Sequence, residues 1–330
     1  MQKSTLKKLS QTLGLSISTV SRALKDHPDI SENTRKKVKD LAAAMEYEPN
    51  SYAVQLRTKR SNVLGIQVSS IDNFFYDSFI AAIEEDARAN GYSVLIMQSR
   101  DNAAIESENL YIFRKNMVMG LFAAVTVETD EMAPFQKMEE QEIPVVFFDR
   151  VPQVKGICAV CFEDEAAARI AAEAIIEKNK KNVLALFFHP HLSITIARKD
   201  SFVNTFKKKA PKTKLTIEFP ENTLAAKEAA IAALTSAKPP DVIFCMVDQI
   251  LIGVMKAIDQ LKLKVPEDIA VIGISNGFIP TMFNPVVTYV ETSGFKLGKL
   301  AFAQMLARLK EQPVSEMVCV ESMLVKGGSL

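Results

Sequence analysis

Four cysteines in 330 residues are too few for a disulfide framework, which excludes the small secreted scaffolds that depend on one. Cys158 and Cys161 form a C-x-x-C pair, but they stand in "GICAVCF", an apolar run of strand character. Side chains alternate along a strand, so positions three apart face opposite sides and cannot chelate one ion or close a small ring. Reduced, packing cysteines are expected. Histidine is scarcer still, with three in the chain. His189 and His191 in "FFHPH" have no acidic or cysteine partner beside them, so a polar loop is expected there and no metal site. No stretch reaches about eighteen uninterrupted apolar residues, and the start "MQKSTLKKLSQTLG" lacks the apolar core of a signal peptide. The expectation is a cytoplasmic protein with no membrane span.

Net charge is also missing, at +1 overall, but its distribution is uneven. Residues 1–60 carry twelve Lys and Arg against six Asp and Glu, and the remainder twenty-eight against thirty-three. A basic head on a mildly acidic body points to a nucleic-acid partner for the head.

From residue 62 onward an apolar run of strand length alternates with a helical stretch. "NVLGIQV" precedes Phe75–Asn90, "YSVLIMQ" precedes Ala103–Lys115, "MGLFAAVTV" precedes Met132–Gln141, and "IPVVFFD" precedes Asp164–Asn179. "NVLALFF", "KLTIEF", "DVIFCMV" and "DIAVIGIS" continue the pattern. Uninterrupted apolar strands between amphipathic helices imply parallel sheets covered on both faces. Eight units exceed one ordinary open sheet, leaving two doubly wound subdomains or a barrel. In either case ligands sit at the carboxyl ends of the strands. The motifs of catalysis are absent from those ends: there is no G-x-x-x-x-G-K-[ST] loop, no G-x-S-x-G elbow, and "LGIQVSSIDNFF" stands where a dinucleotide fingerprint would follow the first strand. A binding module is favoured over an enzyme, and no cofactor is expected.

The head reads as three helices. Leu6, Leu9 and Leu13 form one stripe, Gly14 suits a tight turn, and Ser16 can cap a second helix. In that helix Val20 and Leu24 face inward, while Ser18, Ser21, Arg22 and Lys25 point outward together. In "SENTRKKVKDLAAAME" Val38, Leu41, Ala42 and Met45 complete the core. Two short helices joined by a glycine turn are a helix-turn-helix, whose second helix fits a major groove.

The stretch from Thr5 to Ile66, with its "TVSR", "TR..V", "Y.PN" and "A..L" elements, resembles the head of the lac repressor family. "NFFYDSFIAAIEEDARANGYSVLI", "IPVVFFDR" and "VPEDIAVIGIS" are similar to the family's periplasmic-binding-protein-like core. The resemblance selects the α/β fold with two doubly wound parallel-sheet subdomains over the barrel. It implies a helix-turn-helix domain over residues 1–60, with a hinge helix at about 50–58. The core then runs over 61–330, with a first subdomain of about 61–159 and 292–320 and a second of about 160–291 and 321–330. Three crossings are implied, and "VVTYVE" and the helix Gly294–Glu311 are expected back in the first subdomain.

The resemblance also implies a function: a transcriptional repressor, not an enzyme, acting as a homodimer on a palindromic double-stranded operator. A small-molecule effector, a sugar or sugar derivative bound between the subdomains, would control it. Its implied DNA-binding residues are Thr5, Ser16, Ile17, Ser18, Thr19, Ser21, Arg22, Asn50, Ala53 and Leu56. Arg22 suits a guanine, Ile17 a thymine methyl, and Leu56 a minor-groove wedge. The implied effector-binding residues are Phe75, Tyr76, Arg150, Arg198, Phe219, Asp248, Ser275 and Asn276. Ser275 and Asn276 stand where the family usually has an acidic residue, so the site is expected to keep a cation and to have lost the carboxylate at that position, which leaves room for a carbohydrate with acidic groups. Arg198 has a second reading, as a structural arginine paired with Asp200 or another carboxylate. The ending "LVKGGSL", without a heptad tail, favours a dimer over a tetramer. An enzyme fused to a DNA-binding head and a regulator that senses another protein are the competing functions.

Overall fold

The computed structural model describes residues 5–47, 61–72 and 74–330. The chain divides into two units, Met1–Ser61 and Asn62–Leu330.

In the first unit, α1 (Leu6–Leu13) opens on Thr5, whose side chain accepts the Lys8 N–H. It closes on Gly14 in the left-handed region (φ 65°), where a side chain would be strained. Helix α2 (Ile17–Leu24) is capped by Ser16, which accepts the Thr19 N–H at 3.1 Å. Ser31 caps α3 (Glu32–Ala44) in the same way. Leu9, Val20, Ala23, Val38 and Ala42 are buried between the three helices, with Leu6, Leu13, Leu24, Leu41 and Met45 packed around them. So small a core leaves the outer face of α2 in solvent.

The second unit holds two six-stranded sheets. The first comprises β1 (Val63–Val68), β2 (Ser93–Gln98), β3 (Gly120–Ala123), β4 (Val145–Phe148), β5 (Cys158–Phe162) and β11 (Met317–Val320), in the order β11-β5-β4-β3-β1-β2. The second comprises β6 (Asn182–Leu186), β7 (Lys214–Glu218), β8 (Val242–Cys245), β9 (Ala270–Ser275), β10 (Thr288–Glu291) and β12 (Met323–Val325), in the order β12-β10-β9-β8-β6-β7. All pairings are parallel except β10 with β12. The sheets are open, so the barrel is excluded.

Each sheet is covered on both faces, which is why its strands are apolar without interruption. On the first, Leu64, Ile66, Phe122, Val146 and Phe148 meet α4 (Phe74–Ala89) and α11 (Gly294–Leu309). The alternate residues Leu121, Ala123, Val145 and Phe147 meet α5 (Ala103–Lys115) and α6 (Ala133–Glu140). On the second, α7 (Asp164–Glu177) and α8 (Ser193–Lys209) cover one face. Helices α9 (Thr223–Leu234) and α10 (Asp248–Gln260) cover the other.

The chain passes between the sheets three times: from β5 into α7, from β10 into α11, and from β11 into β12. Two expectations are corrected here. The expected cut between residues 159 and 160 falls inside β5, which stays in register with β4 and β11 through Phe162. "VVTYVE" belongs to the second sheet, since Thr288–Glu291 runs parallel to β9 and buries Val290 in that sheet's core. The short 3₁₀ link Ile279–Met282 returns the chain beside the strand it has just left.

Helix α11 approaches α4 through two glycines one turn apart. A Cβ on Gly298 would lie 2.7 Å from the Ala82 Cβ and 2.8 Å from the Phe79 carbonyl oxygen, and one on Gly294 would lie 2.5 Å from the Phe75 carbonyl oxygen. Backbone cannot swing aside as a flexible side chain can. Gly298→Ala is therefore expected to destabilise the protein by about 1–3 kcal/mol, read from urea melts, and an unchanged midpoint would contradict the close crossing. Because α4 begins at Phe74, this contact also sets where Phe74, Phe75 and Tyr76 stand.

Candidate functional site

Two surfaces gather the residues singled out in the sequence. The first is the outer face of α2. Ile17 is 48% exposed, an unusual position for a large apolar side chain on so small a domain. Ser18, Arg22 and Lys25 are exposed beside it, while Thr19 and Ser21 are half-buried. The Ser16 hydroxyl lies 2.7 Å from that of Ser18 and 2.8 Å from that of Thr19, so the cap and its neighbours form one hydroxyl cluster at the helix N-terminus. Arg22 reaches Asp29 only at 3.9 Å, with both side chains more than half exposed, and it is free to turn to another acceptor. Asn50, Ala53 and Leu56 lie outside the described residues.

The second surface is a cleft between the two sheets, at the carboxyl ends of their strands. The first subdomain supplies Phe74, Phe75 and Tyr76 from the start of α4, Asp149 and Arg150 after β4, and Phe162. The second supplies Phe188, Arg198, Met246, Asp248, Ser275 and Asn276. The Asn276 side-chain amide donates to the Phe74 carbonyl at 2.7 Å, and the Phe74 and Phe278 rings lie 5.9 Å apart. These contacts hold the two walls together, and the enclosed space is about 80 Å³. Small-molecule sites span roughly 300–1,000 Å³, so the space enclosed between these walls is smaller than a ligand of that class needs.

The polar groups of the cleft are mostly paired. Tyr76 is fully buried and its hydroxyl donates to Asp149 Oδ2 at 2.9 Å; burial and the neighbouring Asp149 charge both push its ionisation far above the ordinary range. Asp149 sits in the left-handed region (φ 57°). Arg150 is buried and pairs with Asp101. Arg198 is buried, donating from Nε to Asp164 Oδ1 at 2.7 Å and from Nη1 to the Met246 carbonyl at 3.3 Å. Its carboxylate partner is thus Asp164, and Asp200 pairs with Lys199 instead. Burial raises Asp164 and Asp149, while the arginines beside them pull the other way.

Asp248 is different. It has no cation, and its Oδ1 is buried without a hydrogen-bond partner. Burial pushes its carboxyl up from 3.8 to about 6, although the Ser275 side chain and the Asn276 backbone N–H partly hold it down. A folded-state value above the unfolded one means that the native form binds the proton more tightly. The stabilising contribution is therefore complete below about pH 3.8 and lost as pH rises through about 6. Asp248→Asn, neutral throughout, is expected to be more stable than the parent by about 1–3 kcal/mol at pH 8, with the gain vanishing near pH 4. Urea melts at the two pH values check this, and an equal difference at both would contradict it.

One sequence-level expectation fails at the cleft. Phe219 is not among its lining residues; it is more than one-third exposed just past β7, its ring 6.3 Å from that of Phe187. Asp248, singled out in the sequence, lines the cleft, and so does Asp149, while Asp164 holds Arg198. Asp149, Asp164, Phe162 and Phe188 were not singled out in the sequence. Asp149 stood in view in "FFDR", directly before Arg150, while nothing local to Asp164 marks it as the partner of a residue thirty-four positions on.

A three-helix head with an exposed second helix, followed by two sheets closing on a cleft, defines a DNA-binding regulator with a ligand-binding core. Residues 5–50 match the family described as bacterial regulatory proteins, lacI family, and residues 64–313 match the periplasmic binding protein domain. The chain belongs to the lac repressor family. It is 23% identical over 314 residues to the HTH-type transcriptional repressor PurR of Vibrio atlanticus, covering 93% of this chain and 92% of that one. With the catabolite control protein A of Priestia megaterium it shares 24% identity over 320 residues, 95% of each. A lac repressor dimer, solved bound to operator and the anti-inducer ONPF, superposes with a TM-score of 0.89 at 22% identity, over 99% of both chains.

Proposed function

We propose that this protein is a transcriptional repressor, cytoplasmic and without catalytic activity, that binds a palindromic operator as a homodimer and changes its operator affinity when a small molecule occupies the cleft. The observation that carries the reading is the pairing of an exposed Ile17, Ser18 and Arg22 face with a cleft whose walls come from two subdomains. On the head, Ser18 and Arg22 meet base edges, Ile17 packs on a thymine methyl, and Thr5, Ser16, Thr19 and Ser21 lie toward the backbone. Asn50, Ala53 and Leu56 are assigned to the minor groove. Two heads related by a two-fold axis double a small contact. Exposed Ile96 on edge strand β2 and Ile71, whose N–H donates to the Gln98 side chain, supply an apolar surface for the partner.

In the cleft, Phe75 packs on a ring face, while Asp248, Ser275, Asn276, Arg150 and Arg198 supply hydrogen bonds. The effector class is a carbohydrate or carbohydrate derivative. Because both arginines are already paired with carboxylates and Asp248 is not paired with a cation, neutral polyols are favoured over acidic sugars. A ligand gripped by both walls binds the closed form better than the open one, and that difference is what shifts the population. The relatives support the absence of enzymatic activity, since those named above are regulators.

The test pairs two measurements: selection of preferred duplexes from a randomised palindromic pool, and a thermal-shift screen across neutral and acidic sugars. A neutral sugar is expected to raise the melting temperature by mass action and to alter affinity for the selected duplex. Failure to select any sequence would contradict the DNA-reading role, a response to acidic sugars alone would contradict the preference for neutral polyols, and no response to any sugar would contradict the effector class.

A further inference from the structure

Cys161 and Cys319 face each other across the last strand pair of the first sheet. They are registered partners on the parallel strands β5 and β11, and their sulfurs lie 2.8 Å apart. Adjacent strands run about 4.8 Å apart, inside the 4.4–6.8 Å between Cα atoms that a disulfide spans. Side chains of a registered pair leave the sheet on the same face, so nothing in the backbone needs to move. Cys319 is exposed on edge strand β11, Cys161 is half-buried beneath it, and both are free thiols. Cys158 packs on the opposite face and Cys245 is buried in the other sheet, so neither competes.

We propose that Cys161 and Cys319 form a reversible, redox-sensitive crosslink that ties two of the three crossings between the subdomains. Cys161 lies two residues before the chain leaves β5 for α7, and Cys319 two residues before it leaves β11 for β12. Formation of the crosslink stands apart from the repressor reading.

The oxidant is hydrogen peroxide. The Cys319 thiolate attacks one peroxide oxygen; an S–O bond forms, the O–O bond breaks, and the departing hydroxide takes up the proton the thiol released, giving water. Cys319 is left as a sulfenic acid. The Cys161 sulfur then attacks the Cys319 sulfur, forming S–S and breaking S–O, and the oxygen leaves as a second water carrying the Cys161 proton. Two electrons pass from the thiol pair to the peroxide. Burial, the shared hydrogen with Cys319 and the nearby Asp164 and Asp149 all hold Cys161 in its thiol form, so the attack on peroxide falls to the exposed Cys319, and Cys161 gives up its proton only as it attacks the sulfenic acid.

The full chain is exposed to hydrogen peroxide, quenched by alkylation, and mapped as non-reduced peptides. The expected product lacks two hydrogens, joins the peptides of Cys161 and Cys319 within one chain, and reverts with dithiothreitol. Cys161→Ser is expected to stop at a sulfenic acid on Cys319, trapped by dimedone, and Cys319→Ser to give neither product. Four intact thiols, bonds to Cys158 or Cys245, or only chain-to-chain bonds through Cys319 would overturn the proposal. In the oxidised parent, amide exchange at residues 163–166 and 321–323 is expected to slow roughly tenfold. Equal exchange in both states would overturn the restraint on the crossings.

Discussion

Arg198→Ala is expected to destabilise the protein by about 3–5 kcal/mol, because it leaves Asp164 buried without its cation. The pair is among the most enclosed in the core, with side-chain exposures of 5% and 14%. Burial already raises the Asp164 carboxyl, and Arg198 is what opposes that rise. In the variant the carboxyl moves higher still and escapes part of the penalty by taking up a proton, so the loss is larger at pH 8 than at pH 5. Replacing both partners, Arg198→Ala with Asp164→Asn, is expected to recover more than half of it. Urea melts of the parent, the single variants and the pair check this. A single-variant cost below about 1 kcal/mol would place the ion pair among the weak surface contacts. An effector role for Arg198 is therefore tested in the doubly substituted protein, where a lost response is not confounded by a loosened wall.

Arg22→Ala is expected to lower affinity for the selected operator by about 1–3 kcal/mol, roughly five- to 150-fold, and to relax preference at one base position. Its guanidinium stands out from α2, one turn after Ser18, and its weak contact with Asp29 costs little to break. Lys25→Ala, which removes a flexible point charge from the same face, is expected to weaken selected and random duplexes alike. Fluorescence anisotropy with both duplexes at fixed salt separates the two behaviours. An equal loss on both duplexes for Arg22→Ala would remove it from base reading.

The architecture was readable because its signals are local. Val63–Val68 and Ala270–Ser275 are apolar throughout, as strands covered on both faces must be, and Ser16, Gly14 and Ser31 mark helix ends by side-chain chemistry that acts within three residues. Non-local facts were harder to read. β11 and β12 are short edge strands of four and three residues without a buried position, and their pairing partners lie far away in sequence. "VVTYVE" looks the same whichever sheet it joins; only the short Ile279–Met282 link keeps it beside β9. Phe219 and Phe75 are both aromatic residues near strand or helix ends, but one faces solvent and the other the cleft. Asp164 was missed for the same reason, since its pairing with Arg198 depends on how α7 and α8 pack together.

Occupancy of the cleft and affinity for DNA should be linked through one equilibrium. The direct measurement is the dissociation constant for the selected operator, titrated with and without a saturating sugar that raises the melting temperature, in the parent and in Asp248→Asn. A change of about tenfold or more is expected in the parent, the scale of ordinary allosteric coupling. In Asp248→Asn the response to that sugar is expected to be lost, with the sugar-free affinity unchanged. A sugar that binds tightly and leaves the operator constant unaltered, or an undiminished response in Asp248→Asn, would contradict control of the head from this cleft.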